Sequence, residues 1–296
     1  MTDELCLLTV HAHPDDEASK GAGTVARYHA EGVRTVLVTC TGGEMGDILN
    51  PALDSPEVKE NIGEVRRREL ERAAEIIGYD ELIMLGYKDS GMAGTEANED
   101  PACFAQAPLE EAVARLVQIV RRERPQVIVT YDEDHSGYPH PDHIRTHEIS
   151  LAAFEAASDP DLYPGTGEPF QPLKLYYTVW SRQRMVETHE KFIELGLESP
   201  YDPSWFERPW DDGKITTSIS LAGYEDVRRD ALLAHETQVD PTSKFWFGLP
   251  PEVARTIHPF DDYRLAISHV PAEPTEDDIF AGIRERVGSA AGAPAR

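Results

Sequence analysis

Apolar residues along this chain recur with two periods, and the two alternate. Leu5 to Val10 is an almost unbroken apolar stretch of the kind found in a strand buried on both faces. The pattern then predicts a helix from Lys20 to Ala30, stopped by Gly32, and a second buried strand from Val33 to Thr41. Val58, Ile62, Val65, Leu70, Ala73, Ala74 and Ile77 recur at helical spacing, and Gly78 closes that run. Leu82 to Leu85 reads as a short third strand. Leu109, Ala112, Val113, Leu116, Val117 and Val120 mark another helix, and Gln126 to Tyr131 a fourth strand. Residues 86–108 between them are rich in Gly, Asp, Glu and Ala without apolar periodicity, which predicts a long functional loop.

This order implies an α/β, Rossmann-like fold: a mostly parallel, doubly wound sheet with right-handed crossovers. With strand order 3-2-1-4-5 the chain reverses direction between strands 1 and 4, and a crevice opens at their carboxyl ends. After about Pro160 the pattern weakens. Leu173 to Val179 reads as a strand, Gln183 to Leu195 as a helix, Ile215 to Ile219 as a strand and Tyr224 to His235 as a helix. The expected organisation is a catalytic core over 1–160, a smaller C-terminal α/β extension over 161–287 capping the site, and a disordered tail over 288–296. Segments rich in Pro and aromatic residues, Pro200 to Trp210 and Phe245 to Pro259, are expected as capping loops. Within them Trp205, Trp210, Trp246 and Phe247 are either walls of a pocket or core plugs.

A chain of 296 residues has room for one large domain, or for a domain with an extension. Its net charge of -26 argues against nucleic acid or an anionic membrane as partner, and favours a small molecule. Cys6, Cys40 and Cys103 are few and widely spaced, so neither a disulfide framework nor a CxxC zinc site is expected. With no basic leader before an apolar run, the expectation is a cytoplasmic protein. Homo-oligomerisation stays open.

Two polar clusters sit where strands 1 and 4 end: His11-Ala12-His13-Pro14-Asp15-Asp16-Glu17 and Tyr138-Pro139-His140-Pro141-Asp142-His143. Together they hold the parts of a metal-assisted hydrolase. His13 and Asp16 can bind one ion from a turn, His143 can complete the set from across the crevice, and Asp15 would then be the base. His140 and His143 share a first-turn geometry that leaves one imidazole free to stabilise an oxyanion or protonate a leaving amine. Asp142 can instead fix an imidazole tautomer, and Tyr138 adds a phenolic donor. Glu44, Asp47 and Asp89 would line the same rim. The donors suit Zn2+, and also Fe2+ or Co2+. A nucleotide-binding module would need G-x-G-x-x-G after strand 1, where this chain has carboxylates that repel a pyrophosphate.

At these residues the chain resembles the LmbE-like (PIG-L) zinc deacetylase superfamily, whose signature is H-P-D-D-E after the first strand and H-P-D-H after a later one. It is similar, more closely, to the mycothiol enzymes of actinobacteria, through His11 to Glu17, Thr39 to Glu44, Asp89-Ser90-Gly91, Gly137 to His143 and Ala234 to Gln238. The resemblance implies zinc on His13, Asp16 and His143, Asp15 as general base, His140 as acid and oxyanion partner, and Tyr138 as a loop tyrosine. It also implies that Arg66 and Asp89 hold a glucosaminyl-inositol moiety, and hints that His235 and Gln238 reach the zinc environment. Ser19-Lys20-Gly21 and Gly46 to Pro51 look like an amidase branch that cuts mycothiol S-conjugates, with Lys20 positioning the conjugate. The string Asp89 to Thr95 looks instead like the deacetylase branch. The implied partner is therefore a pseudo-disaccharide thiol conjugate, with an N-acetyl sugar as the alternative.

Overall fold

The computed structural model describes residues 4–133, 138–207, 210 and 212–284; Gly137 and the tail 288–296 lie outside them. Seven strands form one sheet: β1 (Cys6–His11), β2 (Arg34–Thr41), β3 (Glu81–Tyr87), β4 (Val127–Thr130), β5 (Lys174–Val179), β6 (Thr217–Ser220) and β7 (Phe260–Ser268). Their order is β3-β2-β1-β4-β5-β7-β6. The first five are parallel, in the expected order, so the reversal between β1 and β4 opens the crevice above His11 and Thr130. Helices Leu109–Glu123 and Pro141–Ala156 cover one face, and Ala22–Ala30, Ile62–Ile77 and Val227–Ala234 the other. Every residue of β1 is buried, with Leu8 and Val10 packed toward one face and Leu7 toward the other.

Strand β7 is the main departure from the pattern. It pairs antiparallel with both β5 and β6 and so joins the C-terminal segment to the same sheet. Its apolar run is interrupted by Asp261, Asp262 and Arg264, each of which has a counter-ion: Arg228, His258 and Glu133 respectively. Charges compensated by distant residues hide a strand from a reading of local hydrophobicity. The predicted helix over Lys20 to Ala30 starts two residues later, at Ala22, after a separate short helix Asp16–Ser19, and the one over Val58 to Ile77 is broken once, at Asn61 between Pro56–Glu60 and Ile62–Ile77. The loop 86–108 is anchored where none was foreseen. Phe104 is fully buried, stacks on Tyr87 at 5.0 Å, and donates its backbone N–H to Lys88 O at 2.8 Å.

That anchor fixes the segment carrying Asp89 and Ser90. Phe104→Ala is expected to cost about 3–5 kcal/mol of stability through the cavity it leaves, read as a lowered urea midpoint with unchanged denaturant slope.

Candidate metal and catalytic site

The site is assembled from turns at the carboxyl ends of parallel strands. After β1 the chain turns sharply, and Asp15 takes a left-handed backbone at φ 102°, a conformation that costs a non-glycine residue of order 1–3 kcal/mol. Neighbouring groups hold it there. Glu17 Oε2 accepts the Asp15 N–H at 2.9 Å, and Arg66 Nη2 donates to Asp15 Oδ2 at 3.1 Å. Arg66, expected to hold a glucosaminyl-inositol moiety, is 2% exposed. Its guanidinium also donates to Pro14 O at 2.7 Å and to Gly43 O. A Cβ on Gly43, whose φ is +65°, would collide with that guanidinium, so glycine is needed there.

His13 sits between two groups of carboxylates. Its Nδ1 lies 3.5 Å from Asp16 Oδ2, and its Nε2 lies 3.2 Å from Asp142 Oδ2 and 3.8 Å from Asp89 Oδ1. His143 Nε2 approaches Asp16 Oδ2 at 3.3 Å, and the Lys20 ammonium is paired with Asp16 Oδ1. Each of two sets, His13-Asp16-His143 and His13-Asp89-His140-Asp142, brings ligand atoms within 4.8 Å of one another, and all are buried. The first is the triad named from sequence; the second is additional.

Charge in this cluster argues that a cation fits it. Burial alone would depress the His13 imidazole, yet hydrogen bonds to Asp142 and Asp16 reverse this and raise it to about 10. Burial likewise opposes ionisation of Asp16, but Lys20 and His143 hold its carboxyl well below the usual range. Without an ion, the cluster thus collects a proton on His13 and an ammonium on Asp16. Imidazole and carboxylate donors in that surplus of negative charge suit a divalent transition metal. This buried group of histidines and aspartates can bind a metal ion.

The remaining expected residues divide. His140 caps the helix Pro141–Ala156, its Nδ1 accepting the Asp142 N–H at 3.2 Å, which leaves the ring proton on Nε2. Burial, then the charge of His13, lowers its imidazole to about 4. Tyr138 is exposed at the mouth, its ring 5.2 Å from that of His143 and 5.9 Å from that of His140. Asp142 joins three segments: it contacts His13, and accepts from both Ser90 N at 3.0 Å and Ser90 Oγ. Asp89 lies near His13 and also pins Met45 N at 3.2 Å and Gly91 N at 2.8 Å. Solvent loss pushes the Asp15 carboxyl up, against the pull of Arg66.

Other rim residues are not brought into the cluster. Glu44 turns aside to accept the Asp89 N–H at 3.0 Å, and Asp47 is exposed. His235 is fully buried, with Nε2 on Glu17 Oε1 at 2.5 Å, so it lies behind the site rather than at a substrate surface. Gln238 is buried too, its amide on Thr237 Oγ1 at 3.0 Å. Four residues that matter to this geometry were not singled out. Glu17 and Ser90 lay inside the quoted motifs. Glu69 accepts from Thr237 N at 2.8 Å and Oγ1 at 2.7 Å, and Tyr131 stacks on His143 at 4.4 Å while accepting Ala12 N–H at 2.8 Å. Glu69 lies three residues after Arg66 on the same helix, and Tyr131 ends the predicted fourth strand, so position could have found both.

Comparison with known proteins bears on this geometry. Residues 8–154 match the model of the PIG-L family, described as GlcNAc-PI de-N-acetylase. The chain is 46% identical to a mycothiol S-conjugate amidase of Streptomyces coelicolor, over 96% of this chain and 99% of that one. It is 38% identical to a 1D-myo-inositol 2-acetamido-2-deoxy-alpha-D-glucopyranoside deacetylase of Geodermatophilus obscurus, over 96% of this chain and 99% of the relative. Its fold is similar to that of N,N'-diacetylchitobiose deacetylase from Pyrococcus horikoshii, with TM-score 0.61 at 17% identity, covering 88% of this chain and 83% of that one. Sheet order, the paired histidine clusters and full-length similarity agree, and the chain belongs to the PIG-L family.

Proposed function

We propose that this protein is a zinc-dependent amidase that cleaves mycothiol S-conjugates between cysteine and glucosamine. The observation that carries the reading is Asp15, a carboxylate 34% exposed and held by Arg66 beside a cluster that gathers cations. The choice of amide over acetyl substrate is supported by 46% identity to the amidase against 38% to the deacetylase, and by Lys20, which borders the cluster.

His13, Asp16 and His143 would hold the ion, which supplies Lewis acidity toward the amide carbonyl and makes water acidic near neutral pH. Asp15, held beside the cluster by Arg66, takes a proton from the attacking water. His140 donates its Nε2 proton in a hydrogen bond to the oxyanion, and Tyr138 adds a phenolic donor from the mouth. Asp15 then delivers the proton to the glucosamine nitrogen as the carbon–nitrogen bond breaks. Products are glucosaminyl-inositol and a cysteine S-conjugate carrying the new carboxylate. Asp142, held by Ser90, keeps His13 oriented from behind. Acetyl-sugar hydrolysis by the same groups is the second reading, favoured by Asp89 to Thr95.

Purified enzyme given the bimane conjugate of mycothiol and N-acetylglucosaminyl-inositol side by side is expected to release glucosaminyl-inositol faster from the first. Faster acetate release from the second would transfer the assignment to the deacetylase. Asp15→Asn is expected to lower kcat by about 10²–10⁴ with metal content retained. Removing the ion with a chelator should abolish turnover, and Zn2+ should restore it. Ser90→Ala, which strips a support from Asp142, is expected to weaken zinc retention by about 10–100-fold in a competition titration against a chromophoric chelator.

A further inference from the structure

A second cavity of about 940 Å³, counting its open mouth, lies in the C-terminal segment, and none of its lining residues belongs to the cluster around His13. Its walls are aromatic. Trp180 stacks parallel to Phe245 at 6.0 Å, and Trp246 meets both edge-on at 5.8 and 4.8 Å, while Tyr201 closes on Phe245 at 5.7 Å. Trp180, Phe245 and Trp246 are half-buried and line the cavity. Of the aromatic residues expected to wall a pocket, Trp246 and Phe247 line it; Trp205 stands outside against Phe245.

Two guanidiniums enter the same wall. Arg184 and Arg228 share one carboxylate, Asp261, whose other oxygen accepts from Thr24 N at 3.1 Å and Thr24 Oγ1 at 3.0 Å. The adjacent Asp262 is taken by His258 at 2.6 Å and Ser218 at 2.7 Å. Arg228 Nε is buried with no partner among the described residues, an unused donor in a chain whose net charge is -26. A smaller cavity shares Trp180, Arg184 and Arg228 with this one and reaches Ser19, Lys20 and Gly21, where Lys20 pairs with Asp16. Lys20 thus stands beside both the metal cluster and the wall that the two cavities share.

We propose that this cavity receives the S-linked group of the thiol conjugate, and that it selects flat aromatic groups bearing an acidic substituent. Aromatic side chains along the wall recognise the aromatic group without regard to its detailed shape. The arginines recognise the acid, since a planar carboxylate matches the geometry of guanidinium donors. This assignment rests on the amidase reading, because only that substrate carries a variable group on the sulfur.

Two arms separate the proposals. In the first, 4-(methylthio)benzoate and 4-(methylthio)benzylamine are titrated calorimetrically into the zinc-loaded enzyme. The acid is expected to bind about tenfold more tightly than the amine, and Trp246→Ala and Arg228→Gln each to weaken it about tenfold, with Trp246→Phe and Arg228→Lys recovering most of the loss. Binding of the acid that neither substitution changes, or equal binding of acid and amine, overturns the proposal. In the second, kcat/KM is compared for bimane and S-methyl conjugates of mycothiol. Trp246→Ala should reduce the preference for bimane about tenfold, mainly through KM. An unchanged preference with both conjugates still cleaved refutes the cavity's role and leaves the amidase standing. If neither conjugate is cleaved while the first arm responds as expected, the amidase reading fails and the aromatic-acid site survives.

Discussion

The carboxylate of Asp142 is the point on which the site depends, because three segments remote in sequence meet there. One oxygen faces His13 from the turn after β1, both oxygens take donors from Ser90 after β3, and the residue itself opens the helix that follows β4. It is fully buried, so these partners are not optional. An unpaired buried carboxylate would cost several kcal/mol, and the folded chain avoids that only by bringing the three loops into register. The parallel sheet supplies the coarse alignment by ending β1, β3 and β4 on the same edge. Asp142 supplies the fine one.

A second layer of charge stands behind the first and is organised around Glu17 and Glu69. Glu17 divides its oxygens between the backbone of Asp15 and the ring of His235, and Glu69 takes both donors of Thr237. The turn 235–238 is thereby tied to the metal-site turn and to the helix Ile62–Ile77. Arg66 closes the circuit from the same helix, gripping Asp15, Pro14 and Gly43. The strained backbone of Asp15 persists because its N–H and its side chain are both held from this layer. The residue proposed as base is the one whose conformation the surroundings determine most fully.

The parallel half of the sheet was legible because β1, β2 and β4 are apolar on both faces, and such runs leave little else for the chain to do. The motif residues His13, Asp15, Asp16, His140 and His143 were legible because they fall just past those runs. What escaped was fixed by partners far away in sequence. Strand β7 holds Asp261 and Asp262 inside the fold, and nothing within the strand announces Arg228, Arg184 or His258. For His235 the motif resemblance hints only at the zinc environment, and the fold reveals Glu17, fully buried, as its partner. Arg66 reads as one of three consecutive arginines on a polar helix; its burial depends on the turn after β2 passing overhead.

The same strand that escaped notice connects the two halves of the functional surface. β7 pairs with β5, whose end leads to Trp180, and one carboxylate of β7, Asp261, holds Arg184 and Arg228 through one oxygen and Thr24, near the Lys20–Gly21 turn, through the other. A strand with buried carboxylates is expensive to fold, and a purely apolar one would pack as well at that position. The charges make sense as supports for groups that face a ligand, since arginines can be kept in a wall of aromatic rings only if a carboxylate stands behind them. On this view the C-terminal strands are more than an extension that shields the catalytic core. Under the proposed function they would carry the half of the binding surface that distinguishes one conjugate from another, while the parallel half would carry the chemistry common to all of them.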